Sequence, residues 1–151
     1  MQQTFDITSK SREILLQYLE NYTPEQLNKV PPGFNNNLIW NIIHIVVVQQ
    51  MLVYNLSGLP MMVSAEMVDK YKRGTKPETD VTAEEIAVIK KLLFETIAKT
   101  EQDYAAGNFK NYQSFTTMTG FQINTVEDAI NFNNYHEGVH TGAMMAIRKF
   151  I

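Results

Sequence analysis

Between Lys29 and Glu66 the chain carries no Asp, Glu, Lys or Arg. Within that stretch, Leu38 to Tyr54 is mostly apolar, and this run constrains the fold more than any other feature. Its Ile42–Val48 segment (Ile-Ile-His-Ile-Val-Val-Val) is rich in β-formers, but the apolar run is far longer than a usual strand. A membrane span needs about 20 predominantly apolar residues. The run is shorter than that and is interrupted by Asn41, His44, Gln49 and Gln50. The reading that fits is a central helix over about residues 37–56, covered on all sides by other helices. Asn37, Asn41 and His44, spaced by four and three, form one polar line along it. A buried helix keeps such a line only if the groups meet partners, because unpaired burial costs about 1–3 kcal/mol per group.

The rest of the chain supplies the covering helices. Ile14, Leu15, Tyr18 and Leu19 recur at helical spacing and predict a helix over about 8–21. Thr23-Pro24-Glu25-Gln26 has the pattern of a capping box with proline at the first helical position, and Val30-Pro31-Pro32-Gly33 ends the short helix that this box opens. Ser57-Gly58-Leu59-Pro60 ends the central helix, and the segment up to Pro77 reads as a long connection with a short helix near 66–72. Thr82 with Glu85 opens a third long helix, whose apolar residues Ile86, Ile89, Leu93, Ile97 and Tyr104 lead to Gly107. Polar residues and aromatics at 108–124 suggest a short extended pair. Thr125 with Asp128 opens the fourth, with Val126, Ala129, Ile130, Val139, Ala143, Met144 and Ile147 on its apolar face. The expectation is an all-α, four-helix bundle forming one domain over residues 1–151.

At 151 residues the chain can bury a core without metal or disulfide staples, so a bound metal would serve function and not folding. It has no cysteine, which excludes disulfides, thiolate ligands and a cysteine nucleophile, and fits a reducing cytoplasm. The N-terminal segment has no apolar run before a small-residue site, so no signal peptide is expected. With 13 basic against 16 acidic residues and a net charge of −3, nucleic-acid binding is not expected; nor is a membrane partner.

His136-Glu137-Gly138-Val139-His140 matches H-E-x-x-H, in which two histidines share a helix face and can hold one metal. A zinc peptidase would need a third ligand downstream. The eleven residues after His140 contain no His, Asp or Glu, so that ligand must come from upstream. His44 is the only other histidine. Two readings stay open on spacing alone. One is three imidazoles around an open, catalytic-type metal site; the other is a hydrogen-bonded core histidine beside an accidental i,i+4 pair. All three histidines fall on two expected core helices, which tips the balance toward metal.

Asn36-Asn37-Leu38-Ile39-Trp40-Asn41-Ile42-Ile43-His44, Tyr71-Lys72-Arg73-Gly74-Thr75-Lys76-Pro77 and Tyr135-His136-Glu137-Gly138-Val139-His140-Thr141-Gly142 together resemble the DinB-like superfamily over nearly the whole chain. The resemblance implies an up-down-down-up four-helix bundle, often a dimer, with metal ligands at His44, His136 and His140. It implies a divalent ion, zinc or nickel first. Its activities are metal-dependent hydrolysis, or transfer of a low-molecular-weight thiol, on a small-molecule substrate. The damage inducibility behind the family's name does not imply DNA binding. The rival expectation is a non-catalytic metal- or ligand-binding stress-response protein, and a third is a structural dimer module with vestigial histidines.

Glu137 is the candidate catalytic base, weighed against a carboxylate that only supports the ligands. It points about 100° around the helix from His136. Asn41 and Asn133, three residues before His44 and His136, are candidates to orient ligands. Trp40 is a candidate pocket wall, Gly142 a site of close helix contact, and the eight methionines core filler.

Overall fold

Side-chain caps set the helix boundaries. Thr23, Thr82 and Thr125 each accept a hydrogen bond from the amide three residues on. Gln26, Glu85 and Asp128 in turn accept from the cap amide, completing three capping boxes. Asn37 caps in the same sense by accepting from the Trp40 amide at 2.8 Å. The computed structural model, which describes residues 1–151, then runs α1 (Gln2–Asn21), α2 (Pro24–Asn28), α3 (Leu38–Val53), a 3-10 turn (Asn55–Ser57), α4 (Ala65–Tyr71), α5 (Ala83–Ala105), β1 (Phe115–Thr116), β2 (Gln122–Ile123) and α6 (Val126–Ile147). The strands are one short antiparallel pair, so the chain is all-α apart from a two-residue ladder.

The four long helices pack around the ring α3, α6, α1, α5. Gln49 donates to Thr100 at 2.9 Å and Tyr54 donates to Asp103 at 2.8 Å, so α3 and α5 run in the same direction. Thr8 meets Asn134, and Arg12 meets Glu137, so α1 and α6 also run together. Two neighbours running the same way cannot be joined by a tight turn. The long segment between α3 and α5 follows from that, and it carries α4 across the end of the bundle near His44.

Fourteen of the sixteen residues of α3 are buried; Val48 and Met51 are the half-buried pair. Each fully buried aliphatic side chain contributes about 1.5–3 kcal/mol, and α3 supplies both apolar clusters of the core. Length does not exclude a membrane span, contrary to the expectation from sequence. Leu38–Ser57 is long and apolar enough to cross a membrane, and it is protein that covers it here, with most of that stretch buried inside the fold.

Three expectations about individual faces also change. The buried stripe of α1 is Phe5, Thr8, Arg12, Leu15, Tyr18 and Leu19, while Ile14 is 44% exposed. Val139 on α6 is exposed as well. Gly142 does not mediate close packing, since a methyl added there would meet nothing within 4 Å. Among the methionines only Met144 is fully buried.

Candidate metal centre

His44 descends from the polar line of α3, and His136 and His140 face it from adjacent turns of α6. Each offers a ring nitrogen, and the three nitrogens lie within 4.8 Å of one another. Bonds of about 2.0–2.1 Å to one tetrahedral ion set neighbouring nitrogens about 3.3–3.4 Å apart, so the rings would draw inward to bind one. The ring centroids are 4.6 Å apart for His44–His140, 4.5 Å for His136–His140 and 5.2 Å for His44–His136.

Two of the rings are oriented by groups behind them. His44 Nδ1 lies 2.6 Å from the Tyr71 carbonyl at the end of α4. A carbonyl only accepts, so Nδ1 carries the proton and Nε2 presents its lone pair to the cluster. His140 Nδ1 lies 2.8 Å from Asn41 Oδ1, and Asn41 donates in turn to the Asn37 carbonyl, which fixes the amide's orientation. His140 Nε2 is therefore also free. This is the supporting arrangement that metal-bound histidines use. His136 Nδ1 is buried against no hydrogen-bonding protein group, so either of its tautomers is open. Trp40 stacks on His44 with centroids 4.6 Å apart and planes 13° apart.

The electrostatics suit a cation that arrives from outside. Burial, with the neighbouring charges of His140, His44 and Arg12, holds His136 far below the usual imidazole range, at about 3. Burial and then His44 hold His140 at about 4. Burial lowers His44 too, partly offset by its bond to the Tyr71 carbonyl. The rings are thus neutral near pH 7, the form in which imidazole binds a metal.

Glu137 is placed elsewhere. Its side chain is fully buried, and Oε1 accepts from Arg12 at 2.8 and 3.0 Å and from Asn133 at 2.7 Å. The carboxylate thus joins α6 to α1 across the bundle, while the histidine one residue before it faces α3. Asn133 serves Glu137 and not a ligand, whereas Asn41 does orient one.

The family profile of the DinB superfamily matches residues 7–144. The chain belongs to the DinB superfamily. That span takes in all three histidines, Asn41 and the Tyr71 carbonyl that orients His44. A search of curated proteins found no match. The DinB-superfamily bundle therefore brings together every histidine of the sequence as a group that could hold a metal ion.

The Arg12–Glu137 pair was missed in the sequence, although a signal was there. Arg12 stands at a core position of its helix, four residues from Thr8 and three from Leu15, where an uncompensated cation would be costly.

Proposed function

We propose that this DinB-superfamily chain binds one divalent metal ion through His44, His136 and His140. In this reading the ion serves in an enzyme of small molecules, as a hydrolase or as a thiol transferase. One observation carries the reading: three neutral imidazoles, two with Nε2 freed by a fixed Nδ1 partner, converge beside a cavity of about 480 Å³. Zinc or nickel suits an all-imidazole donor set. A bound divalent ion supplies Lewis acidity and lowers the pKa of a coordinated water or thiol.

The residues themselves select among reactions. No carboxylate lines the cavity, and Glu137 is taken up by Arg12 and Asn133. Besides the threonines, Tyr135 carries the one hydroxyl on the wall. A nucleophile that loses its proton easily, a small thiol, therefore fits better than one that needs a strong protein base. The chain has no cysteine, so the thiol comes from a cosubstrate. The same lack of a free carboxylate also favours a second reading, a non-catalytic binding protein that holds metal or ligand in the same cavity.

The test is elemental analysis of untagged protein, followed by a screen of small esters, amides and thiol–electrophile pairs with apo and metal-restored protein. Metal-restored turnover above that of free metal, lost in His140→Ala, is expected. Bound metal without turnover makes the binding protein the better reading. A cytoplasmic homodimer completes the proposal. Light scattering tests the dimer, and exposed Ile7, Ile14 and Met145 along α1 and α6 are surface it would cover.

A further inference from the structure

The cavity beside the histidines is largely apolar. Val48 and Met51 of α3, Phe132 and Val139 of α6, and Phe115 and Met118 around the strand pair form much of its wall. Several of these are unusually open for their type: Met118 is 75% exposed, Val139 53% and Phe115 44%. Large apolar side chains gathered around one opening mark a place where an apolar group is taken from water. Among the seventeen lining residues there is no acid, and Arg73 is the single cation beside the neutral histidines.

Arg73 is held in place by its backbone. It occupies the second position of a turn closed by the Thr75 amide, which donates to the Lys72 carbonyl at 3.3 Å. Gly74 follows at φ +89°, the left-handed conformation such a turn needs at its third position. The turn is fastened to the site on both sides. Before it, the Tyr71 carbonyl meets His44 Nδ1; after it, Thr75 Oγ1 accepts from Trp40 Nε1 at 3.3 Å. The neighbouring lysines are engaged, Lys70 with Glu66 and Lys72 with Asp69. Arg73 has no carboxylate partner, although its guanidinium is built to bind one through two parallel hydrogen bonds.

We propose that the cavity takes a small molecule with an apolar body and a carboxylate, and that Arg73 binds the carboxylate while the reacting group lies at the three histidines. The proposal rests on the metal reading above for the reacting group only. The anion preference belongs to Arg73 and is measurable by itself.

The test uses a matched pair of probes, 4-(sulfanylmethyl)benzoate and its uncharged amide. The rigid ring keeps thiol and carboxylate from reaching the same ion. Calorimetry on wild type, Arg73→Gln and Arg73→Lys reads affinity, and the thiolate-to-metal absorption band of cobalt-loaded protein reads thiol coordination. We expect wild type to prefer the carboxylate about fivefold to tenfold, the scale of a partly exposed ion pair. Arg73→Gln should abolish the preference, weakening the carboxylate more than the amide, and Arg73→Lys should keep part of it. Equal affinities in wild type, a preference that survives Arg73→Gln, or no binding of either probe would overturn the proposal. A preference without the cobalt band would overturn the metal reading and leave the role of Arg73 standing.

Discussion

Asn41 Oδ1 lies 2.8 Å from His140 Nδ1, so an amide on α3 orients an imidazole on α6. The central helix thus supplies one candidate ligand, His44, and aims another. Asn41→Ala should leave the fold intact and weaken metal affinity about 10–100-fold, the usual cost of losing an orienting partner behind a ligand. A competition titration against a chromophoric chelator measures it. Unchanged affinity would show that packing alone sets the His140 ring.

His44→Ala, His136→Ala and His140→Ala should each lose stoichiometric metal, with untagged wild type near one ion per chain. Mass-spectrometric metal analysis decides this. Full occupancy in His44→Ala would break the three-histidine assignment, because that residue is the only candidate ligand on α3.

Removal of metal should leave the helical circular dichroism signal in place. The buried core of α1, α3, α5 and α6 does not involve the ligands' ring nitrogens. A coil spectrum after chelation would mean that the ion is part of the folding nucleus.

Acid should destabilise the metal-free protein at an unusually high pH. His136 and His140 are held at about 3 and about 4 by burial first, whereas the unfolded chain takes up protons near 6.5. The unfolded state then binds more protons, so the stability present above pH 6.5 is lost as pH falls through that value toward 4 and 3. Urea midpoints of chelated protein should fall between pH 7 and 5, and bound metal should reduce the fall. A flat profile would place the rings in a wetter site than their burial implies.

The buried pair Arg12–Glu137 should behave as a unit. Removing one partner strands a charge, so Arg12→Met or Glu137→Met should cost about 3–5 kcal/mol, and the double variant should cost less than either. Urea unfolding by circular dichroism reads all three. Simply additive losses would refute the coupling.

Much of this was legible from residues alone. The capping threonines announced three helix starts because hydroxyl–amide geometry is local. The charge-free run announced the central helix because burial forbids unpaired charge. Asn41 was legible as a candidate, but spacing could not say that it would serve His140 across the bundle and not His44 on its own helix. Glu137 shows the limit more sharply. Its neighbours in sequence suggested catalysis, and its partner Arg12 stands 125 positions away. Only the side-by-side course of α1 and α6 brings the two together. The anchoring of His44 by the Tyr71 carbonyl was invisible for a related reason: any residue has a carbonyl, so no letter marks it.

The near-complete enclosure of α3 also bears on how an ion would leave. Amides of a helix with almost no solvent-facing side exchange their hydrogens mainly when the whole domain opens, whereas a helix open along one side can loosen alone. His44 rides the first kind of helix. His136 and His140 ride the second, with Tyr135, Gly138 and Val139 exposed beside them. Release would therefore begin with α6 lifting two ligands away from a third that stays put, and its rate would follow the local breathing of α6 rather than global stability.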